Sequence, residues 1–404
     1  MKNSAAKISA AMTIIAGVVL IHVIVIGLII WGCNNNSGKK KKTEPEKQPE
    51  KIEARQETGR REERPATASP AKDPRRSGDR PKADAPKTDA RRKPSTNPNF
   101  GKPLNFRKAD RSNMPVKLVP GLKEWNGTGI IVDMDTREVL WEKDSHKAVP
   151  VASMVKMMTM LLVAEEMERN PHFDLDTKVQ VTNSAVKALP ERSGLVWLAP
   201  GEEFTVRELL VCVAVKSAND AATQLGERVG GSVDNFVVRM NERAKALGMT
   251  STVFRNPCGL TDKKLGNSKS SAADMVVLGE RLLEYPFLIE MCSTKQASIR
   301  DGKTVIATTN KLIAPHYPGV DGLKTGYIRA AGACLTFSVL RNGRRIVGCV
   351  TGFEHSKDRD YFCRRLIDWA YDPQSINKKA PPQQPRKSGT PKKRSKRTGT
   401  QKKK

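Results

Sequence analysis

Ser153 and Lys156 stand three residues apart in the segment VPVASMVKMMTM at residues 149–160. On a helix this spacing places the hydroxyl and the amine on one face. A serine hydroxyl is inert at neutral pH, but a lysine that an apolar, cation-flanked site keeps neutral can act as the base that activates it. The pair therefore predicts a serine nucleophile. The same spacing also occurs at four other places in the chain, namely Ser4/Lys7, Ser37/Lys40, Ser69/Lys72 and Ser184/Lys187.

Two further motifs follow Ser153 in a fixed order, Ser217-Ala218-Asn219 and Lys324-Thr325-Gly326. Together the three motifs resemble those of the active-serine penicillin-recognising enzymes. The stretches SANDAATQLGE, FVVRMNERAKALGMTSTVFRNPCGL and TNKLIAPHYPGVDGLKTGY are similar to those of the serine D-alanyl-D-alanine carboxypeptidases, the low-molecular-mass penicillin-binding proteins. The resemblance covers about residues 126–371.

The resemblance implies a role for each catalytic residue. Ser153 would attack the carbonyl between two terminal D-alanines, with neutral Lys156 as general base, to form an acyl-enzyme. Burial and the nearby Lys324 would lower the pKa of Lys156. Ser217 would pass the proton on to the leaving amine. The implied activity is that of a D,D-carboxypeptidase acting on the stem peptides of peptidoglycan, with β-lactams as inhibitors.

The resemblance also implies how the substrate is held. Lys324 and Thr325 would meet its free terminal carboxylate, since a cation and a hydroxyl both donate hydrogen bonds to such a group. Arg359, in GFEHSKDRD, matches a family arginine that helps to hold the same carboxylate. Asn219 would hydrogen-bond the backbone of the substrate. These assignments make the Lys324 strand one side of the predicted site.

An oxyanion hole is implied next to that strand. The family pattern builds it from the backbone N–H groups of Ser153 and Tyr327, aimed at the charge that develops on the attacked carbonyl. Gly326 would let the strand edge come close to the substrate, because glycine has no side chain. Hydrolysis and acyl transfer would then follow from one preformed geometry.

The sequence also bears on the other functions that such motifs could serve. A β-lactamase requires a positioned glutamate, and no Glu-x-x-Leu-Asn segment lies between Lys156 and Ser217. An endopeptidase of D,D cross-links and a non-catalytic cell-wall-binding protein stay open. The seven cysteines show no Cys-x-x-Cys spacing and no histidine at ligand spacing, so neither a metal nor a cofactor is expected. Disulfides and free buried thiols both fit the spacing.

The hydrophobic pattern indicates an α+β domain with strands at both ends of its sequence and helices between. Strands are predicted at 128–133, 138–142, 322–327, 332–340 and 345–351, and helices at 153–169, 206–214, 235–247, 271–283 and 359–371. Asn342-Gly343 is a strong hairpin signal. We expect one antiparallel sheet packed with helices plus a helical subdomain, as in the penicillin-binding and β-lactamase-like transpeptidase fold that the resemblance implies.

The positive charge of the chain is concentrated in its flanks. The 404 residues carry a formal net charge of +28, yet the middle of the chain is close to neutral. Residues 34–113 are rich in Lys, Arg, Glu and Pro and nearly free of large apolar residues, which predicts a disordered tether. Residues 114–372 form the predicted catalytic domain. Residues 373–404 form a predicted disordered basic tail.

Residues 10–30 form an apolar stretch without formal charge, long enough as a helix to cross ~30 Å of hydrocarbon. We therefore predict that residues 1–33 hold a cytoplasmic tip and a signal anchor in the cell membrane, with the catalytic domain outside the cytoplasm. The lysine cluster at 39–42 argues for the opposite orientation. Cleavage of this segment and lipidation at Cys33 are also open.

The lysine-rich tail is a pattern that nucleic-acid-binding tails also have. No aromatic residue is interleaved at 375–404, so nothing suggests base stacking, and nucleic acid is not an expected partner. A tail outside the cytoplasm would instead contact anionic wall polymers or lipid head groups. Solvated charge without a partner is the alternative.

Overall fold

The structure, a computed structural model, describes residues 93, 98–104, 125–187, 189, 194–314 and 316–377. The predicted membrane segment at 10–30, the basic tail beyond residue 377 and most of the predicted tether lie outside these residues. The limits given above for the four segments stay predictions. No helix in the described part of the chain combines the length and the apolar character that a membrane crossing needs.

The described chain begins with strands, is mainly helical in its middle and returns to strands before a final helix. The strands are β1 (Gly129–Asp133), β2 (Val139–Lys143), β3 (Val149–Pro150), β4 (Lys178–Gln180), β5 (Glu203–Thr205), β6 (Lys269–Ser270), β7 (Gln296–Ile299), β8 (Thr304–Ala307), β9 (Val320–Ile328), β10 (Gly332–Arg341) and β11 (Arg344–Phe353). The helices are α1 (Lys156–Arg169), α2 (Asn183–Lys187), α3 (Val206–Val211), α4 (Asn219–Gly230), α5 (Val233–Ala246), α6 (Ala272–Leu283), α7 (Pro286–Ser293) and α8 (Ser356–Tyr371). Shorter helical turns are the 3-10 segments Ala152–Val155 and Pro373–Asn377 and the π-helical segment Cys212–Lys216.

Five strands form the central sheet, in the antiparallel order β2-β1-β11-β10-β9. Strands from the two ends of the domain sequence thus lie side by side, and the prediction of an antiparallel sheet packed with helices is confirmed. Asn342 and Gly343 join β10 to β11 with φ angles of 50° and 79°, as a type I′ hairpin turn requires. β9 is an edge strand, so one row of its backbone groups faces away from the sheet.

Successive side chains of a strand point to opposite faces of the sheet, and helices cover both faces here. Ile130 packs into a core shared with α1 and α6, whereas Ile131 packs into a second core beneath α8. Gly279 lets α6 come close to the sheet, since an added Cβ would lie 2.9 Å from Cδ1 of Leu323. An aromatic cluster fills the space beneath α8: Trp125, Trp141, Phe353 and Phe362.

α1 is the buried centre of a helical subdomain. Its residues from Lys156 to Ala164 are all buried, and α4 and α5 pack against it. A helix that is apolar all round is expected to be enclosed on every side. The predicted core position of the methionines around the nucleophile is confirmed, since none has exposed surface: Met154, Met157, Met158 and Met160.

The structure also contains elements that the hydrophobic pattern did not predict. α7 and the β7–β8 hairpin lie between α6 and β9, where no element was predicted. The helix predicted at 206–214 ends as α-helix at Val211 and continues as the π-helical segment Cys212–Lys216. A π-helical turn bonds each N–H to the carbonyl five residues back, and such turns are frequent at functional sites.

Residues 98–104, called the docked segment below, fall within the predicted tether but bind the catalytic domain. The Gly101 N–H donates to Oε1 of Glu280 over 3.0 Å, and Arg137 donates both to Glu280 and to the carbonyl of Lys102. Arg137 and Glu280 are only 5% and 3% exposed. The docked segment therefore supplies partners for a buried ion pair. No sequence pattern indicated this contact.

The cysteines within the described residues are free thiols, and all of them are buried: Cys212, Cys258, Cys292, Cys334, Cys349 and Cys363. Burial raises the pKa of Cys334 to about 11 and that of Cys349 to about 12. Neither thiolate forms readily at neutral pH, so these side chains pack as small apolar groups. Of the two states that the spacing left open, the described structure has the free thiols.

Candidate active site

Ser153 lies on the 3-10 segment Ala152–Val155, which leads directly into α1. Ala152 has a φ of 48°, a left-handed conformation that costs a residue with a Cβ about 1–2 kcal/mol. Ser153 is half-buried, and Lys156, the first residue of α1, has no exposed surface. The predicted pair therefore shares one helical turn, and that turn is tighter than the α-helix expected from the sequence.

Three oxygen atoms of the described residues lie within hydrogen-bond distance of the Lys156 amine. Its Nζ lies 3.1 Å from Oγ of Ser153, 2.6 Å from Oδ1 of Asn219 and 2.6 Å from the carbonyl oxygen of Cys258. An amide oxygen and a backbone carbonyl can only accept hydrogen bonds. A neutral amine would use its two N–H groups for these two acceptors, which turns its lone pair to the Ser153 hydroxyl. The geometry suits a base acting on Ser153.

Burial lowers the pKa of both lysines of the site. The pKa of Lys156 falls to about 8, against an opposing effect of the negative Asp220. The pKa of Lys324 falls to about 7, first through burial and then through the positive charge of Lys156. The sequence predicted that Lys324 would lower the pKa of Lys156. In the structure it is the charge of Lys156 that lowers the pKa of Lys324. The two amines are electrostatically coupled in either case.

Ser217 and Asn219 follow the π-helical segment Cys212–Lys216. Ser217 has a φ of 63°, and the Ala218 N–H still reaches the carbonyl of Cys212 over 3.1 Å. Within the described residues the Ser217 hydroxyl has no hydrogen-bond partner. Asn219 begins α4 and is 3% exposed, with its Oδ1 on Lys156 and its Nδ2 without a partner in the same part of the chain. The amide N–H₂ thus remains available to a ligand.

Lys324, Thr325, Gly326 and Tyr327 lie in succession on the edge strand β9. Lys324 is 1% exposed, and its Nζ donates to the carbonyl of Thr325 over 3.1 Å. Oγ1 of Thr325 lies 2.8 Å from Oγ1 of Thr309, and either atom can be the donor. The Tyr327 side chain is 65% exposed. The predicted oxyanion role of the Tyr327 backbone N–H stays a prediction.

Gly326 packs against the backbone that carries the nucleophile. A Cβ at this position would lie 2.8 Å from the carbonyl oxygen of Val151 and 3.2 Å from Cβ of Ala152. The missing side chain therefore lets β9 approach the Ser153 segment, which is a packing reason that sequence reasoning did not give. The contact brings the Lys-Thr-Gly strand next to Ser153.

Arg359 lies near the start of α8 and is 3% exposed. Its Nη1 donates to the carbonyl of Cys334 over 3.0 Å, while Nε and Nη2 donate to Oδ1 of Asp360 over 3.0 and 2.6 Å. Its charge also helps to lower the pKa of Lys324, after burial and Lys156. Arg359 is thus within electrostatic range of β9, but its guanidinium is bonded to Asp360 and the sheet. Its contact with a substrate carboxylate stays a prediction.

A loop at residues 256–260 completes the site, and sequence reasoning gave it no role. Oδ1 of Asn256 accepts hydrogen bonds from the N–H groups of Cys258 and Gly259 over 3.2 and 2.7 Å. This turn aims the Cys258 carbonyl at Lys156. Gly259 has a φ of 81°, and a Cβ there would lie 2.0 Å from the carbonyl oxygen of Ala152. The Asn-Pro-Cys-Gly sequence was the available signal, since Asn and Gly favour such turns.

The comparisons with known proteins agree with this geometry. A family profile described as D-alanyl-D-alanine carboxypeptidase matches residues 124–354, which is more than half of the chain. The chain belongs to this family. The resemblance inferred from the three motifs is thereby confirmed, and the match includes Ser153, Ser217 and Lys324. Arg359 lies beyond the matched residues.

Two relatives illustrate how far the carboxypeptidase family likeness extends. The D-alanyl-D-alanine carboxypeptidase DacF of Bacillus subtilis is 36% identical over 247 residues, which cover 60% of this chain and 61% of the relative. DacB2 of Mycobacterium tuberculosis is 31% identical over 268 residues, covering 65% of this chain and 88% of the relative. The chain thus spans about three fifths of the length of the Bacillus protein that it matches.

Solved structures of related proteins support the same fold assignment. Penicillin-binding protein D2 from Listeria monocytogenes, in its cefotaxime-bound form, has a TM-score of 0.56 and 28% identity, covering 63% of this chain and all of that chain. The D-alanyl-D-alanine carboxypeptidase from Mycobacterium tuberculosis H37Rv has a TM-score of 0.54 and 29% identity, covering 60% of this chain and 90% of that chain. The predicted transpeptidase fold is confirmed.

Proposed function

We propose that this chain is a serine D,D-carboxypeptidase that removes the terminal D-alanine from the D-Ala-D-Ala stem peptides of peptidoglycan. The observation that carries the proposal is the surrounding of Lys156: its Nζ lies 3.1 Å from Ser153 Oγ while two acceptor-only oxygens, from Asn219 and Cys258, take up its N–H groups. Such an amine is oriented to take a proton from Ser153. Membership of the carboxypeptidase family supports the same activity.

Acylation would begin when neutral Lys156 takes the hydroxyl proton and Ser153 Oγ attacks the carbonyl carbon between the two D-alanines. The backbone N–H groups of Ser153 and Tyr327 would stabilise the oxyanion. Collapse of the intermediate breaks the C–N bond, and the proton passes through Ser217 to the leaving amine, which releases D-alanine. Water then attacks the ester carbonyl with Lys156 again as base, and Ser153 regains its proton.

The substrate itself would help to generate the neutral base. A carboxylate bound beside Lys324 raises the pKa of that lysine, because an opposite charge favours the charged form. The positive charge then resides on Lys324, and like-charge repulsion lowers the pKa of Lys156 further. In this way the cleft holds one proton charge on the lysine that binds the carboxylate and leaves the lysine next to Ser153 neutral.

β-Lactam binding is part of the same proposal. Penicillin-binding protein D2 from Listeria monocytogenes is a structural neighbour that has been solved in cefotaxime- and ampicillin-bound forms. A β-lactam would acylate Ser153 in place of the peptide. An acyl-enzyme that lasts for minutes or longer supports a carboxypeptidase, whereas sub-second turnover would indicate a β-lactamase.

The proposal is tested by release of D-alanine from diacetyl-L-Lys-D-Ala-D-Ala. We expect release by the wild type and none by Ser153→Ala. Ser184→Ala is a matched control, because Ser184 also precedes a lysine by three residues but donates to Glu227 over 2.8 Å. It should retain full activity. A folded wild type that releases no D-alanine would refute the function, and release from a cross-linked D,D-peptide would identify an endopeptidase.

We further propose that the enzyme is tethered to the cell membrane through residues 10–30, with its catalytic domain outside the cytoplasm and its basic tail on anionic wall polymers or lipid head groups. The uncharged apolar stretch and the lysine-rich tail support this arrangement. A reporter fused after Lys404 that is active only outside the cytoplasm tests the orientation. Cytoplasmic activity would contradict it. Retention in the envelope that is unchanged at low salt after deletion of residues 375–404 would contradict the role of the tail.

A further inference from the structure

Trp197 is a large apolar side chain that is exposed to solvent. It is 66% exposed, although its neighbours Val196 and Leu198 are buried at 5% and 3%. Its φ of 57° lies in the left-handed region, which is unfavourable for a bulky residue and is seen mostly where the surroundings impose it. The indole is therefore held outward by a strained backbone.

The backbone around Trp197 is fixed from both sides. The carboxylate of Asp220 accepts hydrogen bonds from the N–H groups of Val196 and Leu198, each over 3.1 Å. The guanidinium of Arg300 donates to the carbonyls of Val196 and Trp197 over 3.1 and 2.9 Å. Four backbone groups in three residues are thus bonded to two charged side chains. The strained conformation is imposed by these contacts.

Arg300 is itself held in place. Its Nε and Nη2 donate to the two carboxylate oxygens of Glu202, each over 3.0 Å, and its guanidinium lies 5.2 Å from the ring of Phe204. A bidentate pair of this kind fixes geometry as well as charge. Glu202 neutralises the charge of Arg300, and the Asp220 carboxylate is only 1% exposed, which favours an apolar ligand group at the indole over an ionic one.

The fixed loop adjoins the nucleophile side of the site. The Asn219 N–H donates to the carbonyl of Gly194 over 2.7 Å, and the Asp220 that holds Trp197 is the next residue after Asn219. Trp197 is three residues from Gly194, so its backbone lies within ~10 Å of that contact. The same Asn219 accepts from Lys156 through its Oδ1. The loop that carries the indole is therefore bonded to Asn219, the residue that also accepts a hydrogen bond from Lys156.

We propose that Trp197 determines substrate specificity by packing against the side chain of the residue that precedes D-Ala-D-Ala, and that it prefers a long methylene chain. This inference rests on the proposed function. The terminal carboxylate lies at Lys324 in that function, so the acyl half of the peptide extends past Asn219. One residue spans about 3.4 Å, which puts the side chain before D-Ala-D-Ala within reach of the loop. A rigid indole contributes contact area at little cost in entropy.

The test compares two peptides with the full-length protein. Diacetyl-L-Lys-D-Ala-D-Ala carries the long side chain, and acetyl-L-Ala-D-Ala-D-Ala lacks it. In Trp197→Asn, kcat/KM for the lysine peptide should fall about tenfold, mainly through KM, while kcat/KM for the alanine peptide should change less than twofold. Asparagine is chosen because it tolerates the left-handed backbone. Trp197→Phe, which keeps an aromatic face, should stay within about threefold of the wild type on both peptides.

The possible outcomes separate the two proposals. Equal losses on both peptides would mean that the substitution disturbs the loop and would overturn the specificity role, as would no loss on either peptide. A wild type that cleaves neither peptide would contradict the proposed function and remove the basis for the subsite. A selective loss on the lysine peptide, with phenylalanine rescuing it, establishes the contact.

Discussion

Gly259→Ala should separate the positioning of Ser153 from the general stability of the fold. The new Cβ would lie 2.0 Å from the carbonyl oxygen of Ala152 and 3.0 Å from the Ser153 nitrogen. Ordinary carbon contacts begin at about 3.5 Å. The peptide before Ser153, or the loop that holds Lys156 through Cys258, must therefore move by at least about 1 Å.

The matched control is Gly231→Ala. Gly231 has a φ of 74°, close to the 81° of Gly259, but an added Cβ there meets nothing within 4 Å. Both substitutions carry the left-handed strain of about 1–2 kcal/mol, which corresponds to a loss of about 2–8 °C in Tm for a domain of this size. Only Gly259→Ala also displaces the nucleophile. A 1 Å misplacement of a reacting group can cost about 10²-fold in rate.

The assay is the second-order rate of acylation by a fluorescent penicillin, with Tm from circular dichroism on the same samples. We expect Gly259→Ala to acylate about 10²-fold more slowly than the wild type and Gly231→Ala to acylate within about twofold of it. Acylation by Gly259→Ala at the rate of the control, with an equal loss in Tm, would refute the idea that this loop positions Ser153.

Two further predictions follow from the charges of the site and of the docked segment. Lys156 acts in its neutral form with a pKa of about 8, and Lys324 binds the carboxylate in its charged form with a pKa of about 7, so the acylation rate should rise about fivefold from pH 6 to pH 7, peak between pH 7 and pH 8 and fall above pH 8. A rate that is flat from pH 6 to pH 9 would contradict this role, and a stopped-flow pH series measures it. Glu280→Leu leaves the buried Arg137 without its carboxylate partner and should lower the free energy of unfolding in urea by about 3 kcal/mol. The double variant with Arg137→Met should recover most of that loss, whereas a double variant no more stable than the single one would contradict the pairing.

The sequence predicted those parts of the fold that depend on local patterns. Period-two strands and the Asn342-Gly343 turn located the central sheet, and apolar periodicity located α1 and most of the other helices. α7 and the β7–β8 hairpin were missed. The docked segment at 98–104 was also missed, because its contacts with Glu280 and Arg137 join residues far apart in the chain.

The site was predictable where side-chain types carry the chemistry. Ser153, Lys156 and Asn219 converge within hydrogen-bond distance, as the spacing and the motif order indicated. The Cys258 carbonyl on Lys156 was not predictable, because any residue has a backbone carbonyl and only the tertiary fold selects one. Arg359 is bonded to the adjacent Asp360, a competition that the motif does not reveal.

Positions with a strained backbone were also not predictable from the sequence. Ala152 and Ser217 both have positive φ, although neither alanine nor serine favours it. Their conformations are imposed by neighbouring segments: Ala152 lies against Gly259, and Ser217 ends the π-helical segment. Neither residue type signals a left-handed backbone, so tertiary contacts, which the sequence does not reveal, decide the conformation at both places.

Mass spectrometry of the penicillin-treated protein would locate the acylated residue directly. We predict one adduct per chain, found on the peptide that contains Ser153, formed by the wild type and by Ser184→Ala and absent from Ser153→Ala. Lys156→Met should form it at a small fraction of the wild-type rate at pH 8, since the base is lost. An adduct on another residue, or acylation of Ser153 that is undiminished without Lys156, would contradict the activation of Ser153 by this lysine.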